Sequence, residues 1–120
     1  MGESGQVGVI VPNLFLRVPV EAAVRAAGFR PVPVADAAQG SGLRADVVIA
    51  DLDAVGDDPV AAVCRLVAAG KTVLAFGPHV KAEMLSSARA AGAVVLPRSV
   101  FLERLPELLR AALGGAGVEP

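Results

Sequence analysis

Phe29–Val34 reads FRPVPV, a short apolar segment with prolines at alternate positions, Pro31 and Pro33. Set between Gly28 and Asp36, it reads as a β-strand. Proline has no N–H to give a sheet ladder, so such a strand belongs at an edge. The two prolines are two residues apart, so their missing N–H groups point the same way, towards the open side.

Outward from that segment, Val7–Val11 (VGVIV), Val47–Ala50 (VVIA) and Val73–Phe76 (VLAF) are unbroken apolar runs without proline. Runs this short, with no polar alternation, fit strands covered by helices on both faces. A fifth strand, Ala93–Leu96 (AVVL), is followed at once by Pro97, which makes it the second edge. Helical patterns separate the strands, so the chain repeats β-α five times. That pattern implies a parallel sheet with right-handed crossovers. With the second and fifth strands at the edges, the order is 2-1-3-4-5, a three-layer α/β architecture of the flavodoxin-like kind. Helices one and five are expected on one face and two to four on the other.

The helix boundaries are punctuated unevenly. The first helix is expected over Val18–Ala27, with Pro19 confined to its opening turn and Gly28 ending it. The third has Asp58 as N-cap, Pro59 at the first helical position and Gly70 after the last turn. The fourth runs from Val80 to Ala91 and stops at Gly92. The fifth spans Phe101–Leu113, bent or restarted at Pro106. The second, capped by Asp36, meets Gly40-Ser41-Gly42 and is expected to hold only a turn or two. Residues 1–120 read as a single domain, its core about 7–113 and the tail after Leu113 a flexible end.

Composition limits the function. Of 120 residues 54% are hydrophobic and 19% charged, which predicts a compact globule. The net charge is −1 and the eleven Lys and Arg are scattered, so no basic stripe awaits phosphates and nucleic acid is not an expected partner. No apolar run approaches the ~18 residues of a membrane helix, and the start MGESGQ lacks a signal peptide's positive charge. The cytoplasm is the expected location. The one cysteine, Cys64, excludes an internal disulfide. It falls on a helix face with Val60, Val63 and Val67 and reads as a buried, inert thiol.

In open α/β sheets, ligands bind beyond the carboxyl ends of the strands. The sequence delivers Pro12 and Asn13 there after the first strand, and Asp51 and Asp53 after the third. Gly77, Pro78 and His79 follow the fourth, and Pro97, Arg98 and Ser99 the fifth. Asn13, Asp53, His79, Arg98 and Ser99 are therefore the candidate binding residues. Several of the polar residues near these strand ends also have a plainer explanation. Asp51 and Asp53 read equally as solvated strand-end carboxylates, with Asp51 capping a turn. Asp57 and Asp58 suit a helix start, and His79 suits a loop or cap. No G-x-G-x-x-G, nucleophile elbow or histidine pair is present, and nothing argues for an enzyme.

ADVVIADLDA (Ala45–Ala54) resembles the third strand of bacterial response-regulator receivers, which ends in the phosphoacceptor aspartate; Asp51 holds the matching position. ARAAGAVVLPRSVF (Ala88–Phe101) resembles the receiver's fourth helix, Gly-Ala turn and fifth strand. The resemblance implies a signalling domain with Asp51 as the phosphoacceptor equivalent. The departures are specific. Receivers hold Mg²⁺ with an acidic pair after the first strand, where this chain has Pro12 and Asn13. Their Ser or Thr after the fourth strand matches Gly77, their Lys after the fifth matches Ser99, and their switch aromatic matches Leu96. Mg²⁺ wants oxygen ligands, so with Asp51 alone, helped by the Asn13 amide, only weak magnesium binding is expected and no other cofactor. Whether Arg98, one residue before the lysine position, reaches the site stays open, since a one-residue step on a strand reverses the side chain.

The resulting expectation is a stand-alone pseudo-receiver that acts through a protein partner or a second copy of itself. Receivers commonly dock through helix four, strand five and helix five, and Val100, Phe101 and Leu105 are the apolar residues expected to contribute there or to pack in the core. Two other readings remain: a phosphorelay response regulator phosphorylated on Asp51, and a sensor of a small anion held by Arg98, Ser99 and His79.

Overall fold

The structure, a computed structural model, describes residues 5–114. Their elements run β1 (Gln6–Ile10), α1 (Leu14–Ala26), β2 (Arg30–Pro33), α2 (Ala37–Ser41), β3 (Val47–Asp51), α3 (Pro59–Ala68), β4 (Thr72–Gly77), α4 (Ala82–Ala90), β5 (Val94–Pro97) and α5 (Arg98–Leu109), followed by a π turn at Arg110–Gly114. The strands form one five-stranded sheet in the order β2-β1-β3-β4-β5, every pairing parallel. The order read from the prolines is the order found. Arg30 N–H donates to Gly5 and Val34 N–H to Val9, so the even positions of this strand face β1. Pro31 and Pro33 thus turn their donorless nitrogens to the open edge, where no ladder bond is lost.

The central strands alternate between two cores. Val47 and Ile49 face a cluster built with Val20 and Val24 of α1 and Phe101, Leu105 and Leu109 of α5. Val48 and Ala50 face the opposite cluster, which holds Ala37 of α2, Val63 and Leu66 of α3, and Leu85 and Ala88 of α4. Helices one and five therefore cover one face and two to four the other, as expected. Phe76 and Phe101 touch across the first cluster with ring centroids 4.8 Å apart.

Several boundaries moved for identifiable reasons. The first helix begins at Leu14, four residues before Val18, because the Asn13 side chain caps it: Oδ1 accepts from Phe15 N–H at 2.9 Å. Pro19 then lies inside the helix rather than in its opening turn. Its missing N–H leaves the Phe15 carbonyl without a helical donor, a tolerable loss on an exposed turn open to water. Asp36, Asp58 and Pro59 hold the expected starts of α2 and α3, with Asp36 Oδ1 accepting from Gln39 and Asp58 Oδ1 from Ala61. The fifth helix starts three residues early, directly from the strand, and passes Pro106 without a restart; the widened turn comes at Arg110. Gly92, at φ 114°, makes the tight exit from α4 into β5 that a side chain would strain. The tail from residue 115, read as flexible, lies outside the described residues. Among the described residues no helix is long and apolar enough to cross a membrane.

Cys64 corrects a reading: it is exposed. The fully buried pair on α3 is Val63 and Leu66. At about 100° per residue Leu66 draws the buried arc away from Cys64, which is left beyond its rim. Phe101 and Leu105 are likewise core residues, 1% and 0% exposed, and are not available to a partner; Val100 is half-buried. The exposed leucine of that helix is Leu102, at 37%. Urea unfolding separates the two positions. Leu105→Ala is expected to cost about 2–5 kcal/mol, and Leu102→Ala to stay within about 0.5 kcal/mol of the parent.

Candidate functional site

β3 is buried along its whole length, and its last residue is Asp51. The strand has no polar outer face, so its carboxyl end carries a carboxylate into the interior. Asp51 is 3% exposed, the one buried charged side chain among the described residues. It is not the solvated strand-end acid that one reading allowed. It does cap a turn: Oδ1 accepts from Asp53 N–H at 3.0 Å, and Ala54 N–H donates to the Asp51 carbonyl at 2.9 Å. Burial pushes the Asp51 carboxyl above its ordinary value. The Asp53 N–H bond and the Arg98 charge oppose that rise, and the Asp53 charge adds to it.

Asp53 stands two residues on, at the rim. Lys81 Nζ lies 2.7 Å from its Oδ1, and Arg98 Nη2 3.7 Å from its Oδ2. Three separate segments meet there: the turn after β3, the turn after β4, and the first residue of α5. The Lys81 N–H donates to the Pro78 carbonyl at 3.0 Å, closing the turn that carries the lysine side chain back over Asp53. Arg98 reaches the site because β5 ends at Pro97 and the helix begins with Arg98 itself. Strand alternation no longer governs its direction. Its stem helps line a small crevice with Leu16, Val20, Phe76, Phe101 and Leu102.

The remaining sequence candidates are placed less centrally. Asn13 is exposed and spends its Oδ1 on capping α1. His79 is exposed in the turn after β4, and Ser99 is exposed in the first turn of α5; neither side chain joins a hydrogen bond or ion pair among the described residues. Lys81 was missed by sequence reasoning. Its partner is 28 residues away in sequence, and only the convergence of the third and fourth strand ends gives a signal. A patch of apolar surface was missed too. Leu14, Phe15 and Val18 are 57%, 91% and 60% exposed. With the helix read from Val18, the first two had no face to be assigned to.

Gly77, opposite Pro97 at the end of β4, is buried. A Cβ there would stand 2.9 Å from Leu85 Cδ2 and 3.2 Å from Met84 Cε. The space that a serine or threonine would need is filled by α4 side chains. The donor set also fails to suit Mg²⁺. Pro12 offers no side-chain ligand, Asn13 Oδ1 is engaged, one Asp51 oxygen holds a backbone N–H, and both Asp53 oxygens face cations. No group of three or more His, Cys, Asp or Glu that could hold a metal ion is found among the described residues.

No protein-family model matches the sequence, and no curated protein does. Solved structures do. A response regulator from Thermotoga maritima is 17% identical with a TM-score of 0.75, the match covering 92% of this chain and 98% of that one. A putative pilus assembly-related protein from Burkholderia pseudomallei is 22% identical with a TM-score of 0.74, covering 93% and 91%. The receiver domain of a sensor histidine kinase from Pseudomonas aeruginosa, solved with a magnesium ion coordinated in its active site cleft, is 20% identical with a TM-score of 0.75, covering 92% and 98%. At such identities the likeness is one of fold, and the fold is that of response-regulator receiver domains.

The raised Asp51 carboxyl gives a signed expectation. The folded chain holds this proton to a higher pH than the unfolded chain, so native stability falls as pH rises from the ordinary carboxylate value through the folded one. Above that window the burial penalty is constant. Asp51→Asn keeps an oxygen for the Asp53 N–H and carries no charge. Thermal or urea unfolding at neutral pH should find the variant more stable than the parent, with the difference vanishing below the ordinary carboxylate range.

Proposed function

We propose that the chain is a pseudo-receiver, a receiver-fold domain that signals by binding a protein partner and not by turnover at Asp51. The observation that carries this reading is the inventory around Asp51. The carboxylate is there, at the end of the central strand, but no second acid sits after β1 and no hydroxyl is available at Gly77. The cations within reach, Lys81 and Arg98, are drawn to Asp53. Phosphoryl transfer depends on groups arranged around the moving charge, and losing one such stabiliser typically costs about 3–4 kcal/mol of barrier. Here several are replaced at once. A cytoplasmic, bacterial setting accords with this reading, since the receiver-fold proteins it resembles come from bacteria.

The apolar patch on α1 supports a docking site at that end of the molecule. Leu14, Phe15 and Val18 lie at spacings of three and four residues, on one side of the first two helical turns, next to the carboxyl end of the sheet. Exposing three such side chains together costs solvation free energy with no return inside this fold. On the face of α4, β5 and α5 the exposed large apolar residues are Val94 and Leu102, at 43% and 37%, with Val80 at 78% in the turn before α4, and they stand on separate elements, not on one helix face. We therefore favour the α1 end as the docking surface over that face, for a protein partner or a second copy.

Two measurements test the reading. Incubation with Mg²⁺ and acetyl phosphate, followed by intact mass spectrometry, is expected to show no stoichiometric phosphoryl adduct. An adduct abolished by Asp51→Ala would make the chain a phosphoacceptor instead. Phe15→Ser is expected to change folding stability by no more than about 0.5 kcal/mol, because the ring is 91% exposed. In quantitative pull-downs from the native host the same variant should lose the partner that the parent enriches. Equal enrichment by both would remove α1 as the docking surface.

A further inference from the structure

Asp51 and Asp53 bring two negative charges to the carboxyl end of the sheet, and Lys81 and Arg98 bring two positive ones. Each Asp53 oxygen faces a different cation, Oδ1 the Lys81 ammonium at 2.7 Å and Oδ2 the Arg98 guanidinium at 3.7 Å. Lys81 is also the N-cap of α4, makes no side-chain cap bond there, and places a cation at the positive end of a helix dipole. Nothing in α4 favours a lysine at that position. Asp53 does, and Arg98 completes the balance from the other side while its charge also acts on Asp51.

We infer that Lys81 and Arg98 are built-in counter-ions that balance Asp51 and Asp53 in place of a divalent cation, so that the site is metal-independent. The inference rests on the charge geometry and holds whether or not the chain docks a partner. A divalent ion approaching Asp53 meets two cations already in place, and must displace them or bear their repulsion. The ammonium and guanidinium are tethered, so the balance does not vary with the concentration of any ion. The same clasp joins the turn after β3, the turn after β4 and the start of α5, so the charge balance and the positions of these segments are one property.

Thermal melting of the full chain in MgCl₂ or MnCl₂ up to about 20 mM, against NaCl of matched ionic strength, tests this. The parent is expected to melt at the same temperature in both. The Lys81→Ala/Arg98→Ala double variant leaves both carboxylates uncompensated. It should melt lower in NaCl and recover with saturable dependence on the divalent ion, a response that further substitution Asp53→Ala abolishes. Calorimetric titration with Mn²⁺ should show at least about a tenfold gain in affinity over the parent. A saturable divalent-ion response in the parent overturns the inference, and so does a folded double variant indifferent to the metal. If the double variant does not fold in either salt, Lys81→Gln carries the test, and an Mn²⁺ affinity no better than the parent's overturns it equally.

Discussion

Burial of the central strand on both faces is the constraint on which the rest of this structure depends. Val47, Val48, Ile49 and Ala50 are each fully enclosed, alternate residues serving opposite helical layers. A parallel strand placed this way has no solvated side, so its last residue enters the interior whatever its chemistry. Here that residue is a carboxylate. Its charge must be tolerated by one backbone N–H and by what the neighbouring loops bring, and the character of the site follows from how they do so.

The loops bring cations instead of acids. Lys81 and Arg98 meet Asp53 at the rim, and Asp53 in turn bonds Asp51 through its backbone. The Lys81 pair is partly exposed, at 53% and 29%, so as a surface ion pair it is worth only about 0–1 kcal/mol of stability. Its importance is geometric. Together with the filling of the Gly77 corner by Met84 and Leu85, it is what the proposed reading rests on, a receiver-fold site short of the groups that move a phosphoryl group.

The fold was legible where sequence signals were local and steric. Pro31 and Pro33 placed an edge strand because proline cannot give an N–H, and the unbroken apolar runs placed the interior strands. Asp58-Pro59 fixed a helix start by capping alone. The failures came where two signals competed. Pro19 was given an opening turn, but the Asn13 cap set the start of α1 earlier and the exposed turn absorbed the proline. Cys64 shared a face with three valines, and Leu66 shifted the buried arc away from it. In the site, Asp51 was legible as a strand terminus. Arg98 depended on β5 ending at Pro97, which a strand-alternation rule does not see. Lys81 was invisible because its partner lies on another strand end.

The central proposal is that the charges at the carboxyl end of this sheet are balanced from within and that Asp51 does not take up a phosphoryl group. The most direct measurement is the backbone amide NMR spectrum of the ¹⁵N-labelled chain, titrated with Mg²⁺ and then with beryllofluoride, a phosphoryl mimic. The account predicts that the amides of Asp51–Ala54, Gly77 and Arg98 keep their positions through both additions. Saturable shifts of those amides with Mg²⁺, followed by a new slowly exchanging set with beryllofluoride, would contradict it.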